Sequence, residues 1–292
     1  VSLIRAIYVI LGLIVTSLVL IPCQLVAMAT GWKRAQRVLP WWWHRSAVKL
    51  MGIKVHVHGT PSPARPLLIT ANHVSWLDIV VIGSVMPLSY IAKSEVAGWP
   101  IFGILAKLQR TVFVERERRA KTGAVAGEIA DRMTGGDVMV LFAEGTSSNG
   151  IHVLPFKSSL VGGAAKAIEA AKGEATVQPL ALNYTHLDGL PIGRFYKTRL
   201  AWYGDMEMAS HLWWVLRHGV IDVNVAFGPA VPFSGGAERK AMTRDLEATV
   251  RRLVGEATAG RLAETVTGPG TAADAAAVAG PEKAAQDVRE PV

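Results

Sequence analysis

Between Ala6 and Ala29 the chain carries no charged residue. As a helix this stretch would be roughly 36 Å long, more than the ~30 Å hydrocarbon core of a bilayer. A membrane span or a membrane-embedded hairpin is the preferred reading. Pro22 would kink such a helix, which membrane helices tolerate. Two alternatives stand beside it. Ala27-Met28-Ala29 fits a small-x-small cleavage site, yet the run exceeds a usual signal core of ~7–15 residues and its basic flank is only Arg5. The other is an ordinary core helix. Lys33, Arg34 and Arg37 follow, and cations beside an apolar span favour the cytoplasmic side, the inner membrane in a bacterium. Trp41, Trp42 and Trp43 cannot all face one helix stripe, and indoles suit the headgroup region, so an interfacial place is preferred to the core.

Residues 1–50 are thus expected to be an anchor and interfacial segment. From Lys54 the pattern changes to alternating strand-like and helix-like runs. Strands are expected at Lys54–His58, Leu67–Ala71, Ser89–Ala92, Thr111–Val114, Val138–Phe142, Thr176–Leu182, Leu200–Tyr203 and Ile221–Phe227. Helices are expected at Ile79–Val85, Ile101–Leu108, Thr122–Met133, Ser158–Ala171, Ala209–Arg217 and Glu238–Ala257. This order predicts an α/β domain over residues 51–264, with a mixed, largely parallel sheet flanked by helices. Residues 265–292 are rich in Ala, Gly and Pro, with no large apolar residue beyond Val, and read as a disordered tail.

Half of the residues are hydrophobic and 18% are charged, an oily balance that points to lipid contact. The net charge is +8, and because the tail is acidic the rest carries about +10. That excess favours an anionic partner such as a phosphorylated substrate or an anionic membrane surface. The basic residues are scattered and no nucleic-acid-binding signature is present, so nucleic acid is not expected. Cys23 is the one cysteine and lies in the apolar run, which excludes a disulfide framework and a thiolate metal site. His56 and His58 share a strand face, but no third ligand is indicated nearby and no metal is expected. His211-Leu212-Trp213-Trp214 fits a second interfacial patch and core packing equally well.

Four stretches carry the chemistry. In the first, the apolar run Pro66–Ala71 leads into Asn72-His73-Val74-Ser75-Trp76-Leu77-Asp78. A loop from strand to helix can bring His73 and Asp78 into hydrogen-bond reach, a general base and the carboxylate that orients it. In the second, Thr111–Val114 ends in Glu115 and Arg116, and an arginine at a strand end suits bidentate phosphate binding. The third, Phe142-Ala143-Glu144-Gly145-Thr146-Ser147-Ser148, breaks a buried strand into a polar loop. Gly145 there permits close backbone approach, and Thr146 supplies a donor and an acceptor. In the fourth, Pro179 inside Val177–Leu182 implies an edge, a bulge or a strand start. Neither a Gly-x-Ser-x-Gly elbow nor a P-loop is present, so serine-hydrolase and NTPase readings lack their key residues.

In this order the four stretches resemble the blocks of the glycerolipid acyltransferase family, which includes lysophosphatidic acid acyltransferases. Asn72, His73 and Asp78 match its Asn-His-x4-Asp block, and Phe113-Val114-Glu115-Arg116 its second block. Phe142, Glu144, Gly145, Thr146 and Ser148 match Phe-Pro-Glu-Gly-Thr-Arg-Ser, and the run around Pro179 matches the fourth. Lys93-Ser94-Glu95 and Trp99-Pro100-Ile101-Phe102-Gly103 are similar to the family's segment between the first two blocks. The resemblance implies acyl transfer from acyl-CoA or an acyl carrier protein to the free hydroxyl of a lysolipid, without a cofactor. His73 and Asp78 would be catalytic, and Asn72, Lys93, Arg116, Glu144, Gly145 and Thr146 would bind substrate, with Lys157 as a further helper.

Two departures bear on the acceptor. Ala143 stands where the family has proline, and Ser147 where it has an arginine that helps bind the acceptor's phosphate. The first expectation is 1-acylglycerol-3-phosphate as acceptor. Ser147 raises the alternative of a phosphate-free lysolipid such as lyso-ornithine lipid. A non-enzymatic lipid-binding membrane protein is the reading from another class, and the intact His73/Asp78 pair speaks against it.

Overall fold

The computed structural model describes residues 2–114, 122–164, 175–233 and 239–262. Arg116 and residues 265–292 lie outside them, as does the C-terminal part of the helix expected over Ser158–Ala171, which is helical over 158–164.

The sheet is organised around β2 (Leu67–Ala71), whose five residues are all buried. It runs parallel to β5 (Val138–Phe142) on one side and to β6 (Ala175–Leu187) on the other. A strand covered on both faces needs no polar alternation, so its sequence is one apolar run. Its side chains still alternate: Leu67, Ile69 and Ala71 join one core and Leu68 the other. With β1 (Ile53–His58), β3 (Ser89–Lys93), β4 (Val112–Val114) and β8 (Ile221–Phe227), the strand order is β1-β8-β6-β2-β5-β3-β4. Only β6 and β8 pair antiparallel along this path. Two short strands, β7 (Leu190–Pro191) and β9 (Val231–Phe233), add antiparallel to β6. The fold is the mixed, largely parallel α/β sheet the sequence predicts.

Pro179 sits in the interior of the sheet rather than at an edge. On one side of β6 the partner changes from β9 (at 175–177) to β8 (from Leu180), so Pro179 falls in the gap between them. Its missing N–H is therefore needed by neither partner. The strand expected at Leu200–Tyr203 is not formed. Leu200 ends a helix, α6 below, and Trp202 makes a single backbone bond to Val74 O at 2.9 Å. Leu200 and Ala201 are apolar because they are buried under the loop after β2.

One face of the sheet is covered by α1 (Ser2–Ala29), α2 (Lys33–Leu50), α3 (Leu77–Val85) and α7 (Met208–Arg217). The other is covered by α5 (Thr122–Thr134) and α8 (Arg239–Thr258), while α4 (Phe102–Leu108) and α6 (Arg194–Leu200) flank the strand ends. Gly83 on α3 lets α2 approach closely, since a Cβ there would lie 2.6 Å from the His44 ring.

Helix α1 is the one described helix long and apolar enough to cross a membrane. It forms a hairpin with α2, and both its ends are tied to the domain. The Arg5 guanidinium donates to the carbonyls of Met51 (2.7 Å), Gly219 (3.2 Å) and Leu216, gripping the C-terminal end of α7. Gln24 Nε2 donates to Leu108 O (2.7 Å) and Gln36 O (3.1 Å). These anchors are 19 residues apart in sequence, about 28 Å along the helix axis, so α1 lies along the domain. Its outer face is bare, with Ile4 74% and Leu18 70% exposed. The tryptophans that follow divide. Trp41 Nε1 donates to Ser84 O and Trp43 Nε1 to Ser17 Oγ, both at 2.9 Å, while Trp42 faces out. The interfacial expectation thus describes Trp42, and the other two indoles pack between helices. Arg37 is likewise drawn inward, to Asp137, which Arg110 and Arg132 also contact.

Candidate active site

The loop after β2 places His73 beside the start of α3. His73 Nδ1 lies 2.8 Å from Asp78 Oδ2, which also accepts the backbone N–H of Val74 (2.6 Å) and Ser75 (3.0 Å). Asp78 is in the first turn of α3, where the helix dipole favours an anion, and it is fully buried. Its other oxygen, Oδ1, accepts the hydroxyl of Tyr184 at 2.7 Å. Four donors thus hold the carboxylate in one orientation. With Nδ1 engaged, Nε2 is the nitrogen of His73 left for proton transfer. The ring itself stacks on Phe142, centroids 3.9 Å apart, and Tyr90 stacks behind Phe142 at 5.9 Å.

Tyr184 is the residue that sequence reasoning missed. It lies on β6, buried, and both burial and the Asp78 charge raise its phenol well above its ordinary pKa, so it stays a donor. A buried tyrosine needs a polar partner for its hydroxyl, but the sequence reading ended this strand at Leu182, two residues short of Tyr184.

The loop after β5 is fastened to the same place. Ser148 N donates to His73 O (2.8 Å), Ala143 N to Ala71 O (3.0 Å), and His73 N to Glu144 Oε1 (3.3 Å). Gly145 makes the turn at φ +73°, with its N–H given to Phe142 O at 3.0 Å. That amide is used in the turn and is not free for an oxyanion.

A cleft of about 1160 Å³ opens over His73. Lys93, Gly145, Thr146 and Ser147 line it near the histidine, and Ile10, Ile14 and Ile21 of α1 line its apolar extension. Lys93, Gly145 and Thr146 thus line the same cleft as His73. Asn72 and Glu144 are not among the lining residues. Asn72 is 2% exposed and its amide exchanges two hydrogen bonds with the Leu182 backbone, at 3.0 and 2.8 Å, extending the β2–β6 pairing past the strand end. Glu144 is 1% exposed, and burial pushes its carboxyl up to about 8 against the hydrogen bonds it accepts from the His73 and Leu154 backbone. Both were expected to bind substrate, and both instead hold the loops together from beneath. Arg116 lies outside the described residues, and Lys157 is exposed, its N–H donating to Ala143 O.

Two further histidines are paired within the sheet. His56 Nε2 meets Asp222 Oδ1 at 2.8 Å and His58 Nε2 meets Asn224 Oδ1 at 2.7 Å, both across the β1–β8 pair. Among the described residues no group of three His, Cys, Asp or Glu could hold a metal. Buried His211 accepts Trp76 Nε1–H at 2.9 Å, fixing the indole between His73 and Asp78 in sequence. Of its neighbours, Trp213 is exposed and Trp214 stacks on His218.

The comparisons agree with this geometry. The family model described as Acyltransferase matches residues 54–183. A lyso-ornithine lipid O-acyltransferase of Brucella abortus is 47% identical over 261 residues, 88% of this chain and 97% of that protein. Its counterpart in Rhizobium meliloti is 44% identical over 90% of this chain and 91% of its own length. A 1-acyl-sn-glycerol-3-phosphate acyltransferase of Neisseria gonorrhoeae is 29% identical over 73% of this chain and 79% of its own length. Among solved structures, the 1-acyl-sn-glycerophosphate acyltransferase PlsC of Thermotoga maritima superposes with a TM-score of 0.61 at 20% identity. That match covers 88% of this chain and 96% of PlsC, and it carries the fold. The blocks, the fold and these relatives together make the chain a member of the glycerolipid acyltransferase family, an enzyme that acylates lysolipids.

Proposed function

We propose that the chain transfers a fatty acyl group to the free hydroxyl of lyso-ornithine lipid, rather than to the 1-acylglycerol-3-phosphate first expected. The observation that carries this is the near full-length likeness to two proteins named for that reaction. Ser147 supports it physically. It lines the cleft near His73 where the family has a phosphate-binding arginine. An ornithine headgroup offers an ammonium and a carboxylate, so a neutral residue there removes a repulsion instead of losing a partner.

In the proposed step His73 Nε2 takes the hydroxyl proton while Asp78 steadies the imidazolium through Nδ1. The hydroxyl oxygen attacks the thioester carbonyl of acyl-CoA or an acyl carrier protein. The C–S bond breaks, and the proton passes from His73 to the departing thiolate. Such general-base help is typically worth ~10²–10⁴-fold. The step needs no metal or redox cofactor. The bare apolar face of α1, with exposed Lys33 and Arg34 at the hairpin tip, is read as the contact with an anionic membrane on its cytoplasmic side.

The test supplies purified protein with labelled acyl-CoA or acyl carrier protein and a panel of lysolipids. Lyso-ornithine lipid should be acylated at least tenfold faster than lysophosphatidic acid. Equal or faster acylation of lysophosphatidic acid would sink the acceptor assignment, and a wild-type rate for His73→Ala would sink the assigned base.

A further inference from the structure

The apolar extension of the cleft does not end in hydrocarbon. Where α1, α2 and α4 meet, a smaller cavity of about 50 Å³ adjoins it, and the two share Ile21, Trp43, His44, Leu105 and Gln109 as lining. Gln24 also lines this cavity. Its amide orientation is fixed, because Nε2 donates to two carbonyls, Leu108 O and Gln36 O. Its Oε1 is therefore held as an acceptor, buried and without a partner among the described residues. His44 Nδ1 is in the same condition, and the residues are 3% and 5% exposed. Burial lowers the His44 imidazole to about 4 against an opposing hydrogen bond to the Gln109 side chain, so the ring is neutral and Nδ1 is the nitrogen left to pair.

Leaving such atoms unpaired is costly, because each has lost its water and gained no partner in return. The rest of the cavity wall is largely aliphatic, with Leu20, Leu39 and Leu108. The wall thus asks for a single O–H on an otherwise apolar body that arrives along the cleft. We propose that this cavity is a hydroxyl-recognising subsite at the end of the chain-binding cleft, where Gln24 and His44 hydrogen-bond a hydroxyl carried far along an alkyl chain. The substrate class so favoured is a fatty acyl chain hydroxylated near its methyl end. This rests on reading the cleft as the place where an acyl chain lies.

Binding can be measured without turnover, through the fluorescence of Trp43 in the shared wall. The full chain in detergent micelles is titrated with a length series of ω-hydroxy fatty acids and their unsubstituted counterparts. At the length that reaches the cavity, the hydroxylated acid should bind roughly tenfold tighter, one satisfied buried acceptor's worth. Gln24→Leu and the near-isosteric His44→Phe should erase that preference while keeping affinity for the unsubstituted acid, which also reports that they are folded. Equal affinity for both acids at every length in wild type overturns the subsite and leaves its acceptors to a buried water. Binding of neither acid overturns the chain-binding reading of the cleft, and the subsite with it.

Discussion

Replacing Glu144 by Gln should stabilise the protein at neutral pH and remove a pH dependence. The carboxyl is buried, and burial is the main cause that pushes it from 4.5 to about 8. An unfolded chain gives up this proton near pH 4.5, while the folded chain keeps it until about pH 8. Between those values the folded state binds more protons, so stability falls as pH rises. The full loss is about 5 kcal/mol, of which roughly 3 kcal/mol has accrued by pH 7. Gln has the shape of the protonated acid, can still accept the His73 N–H through Oε1, and does not titrate. For a domain of this size ~1 kcal/mol moves Tm by ~2–4 °C. Thermal melts in micelles should therefore show the variant pulling ahead of wild type by roughly 5–10 °C between pH 5 and pH 7. Acyl transfer by Glu144→Gln should stay near the wild-type rate, because the carboxyl does not line the cleft. Parallel Tm curves would refute the reasoning, since they would mean that Glu144 is ionised in the folded protein.

Tyr184→Phe should lower kcat about tenfold with little change in KM, because the hydroxyl touches Asp78 and does not line the cleft. Without that donor the carboxylate is held by three donors instead of four and orients His73 less firmly, so the loss should fall on kcat; an unchanged kcat would reduce Tyr184 to packing. Ser147→Arg should raise kcat/KM for lysophosphatidic acid and lower it for lyso-ornithine lipid in the same acceptor panel. Replacing Ile4, Leu11 and Val15 together by Gln should weaken binding to anionic vesicles more than tenfold, since each exposed side chain offers ~1.5–3 kcal/mol on burial. None of the three lines the cleft, so turnover of a micellar substrate should persist.

The sheet was legible because β2 and β5 are almost wholly apolar runs and β8 begins with apolar and polar residues in alternation, and their bounds agree with the sequence reading. The partnering of β6 was not, since a proline normally marks an edge and only the handover from β9 to β8 makes Pro179 acceptable at the centre. The His73–Asp78 pair could be read from spacing because a loop and one helical turn fix it locally. The fate of Asn72 and Glu144 could not, because whether a polar side chain faces the cleft or the layer beneath depends on Leu182 and on the loop after β5, far away in sequence. Tyr184 reaches Asp78 across 106 positions of chain, a distance at which local pattern carries no information. The tryptophans show the same limit: composition suggested an interface, and the hairpin geometry sent two of the three inward.

In the proposed step the stack of His73 on Phe142 takes on an effect that arises only as the base is protonated. Before transfer the two rings lie 3.9 Å apart and gain ordinary dispersion. Once Nε2 has taken a proton, the upper ring is a cation lying over the negative face of a benzene ring, with Tyr90 stacked behind it. A cation–π attraction of ~0.5–2 kcal/mol then switches on. Because it is missing from the ground state and present as charge develops, it lowers the barrier instead of merely tightening binding. An aromatic residue at the end of β5 is thus a counter-charge that needs no anion, held in reserve until the base becomes an acid.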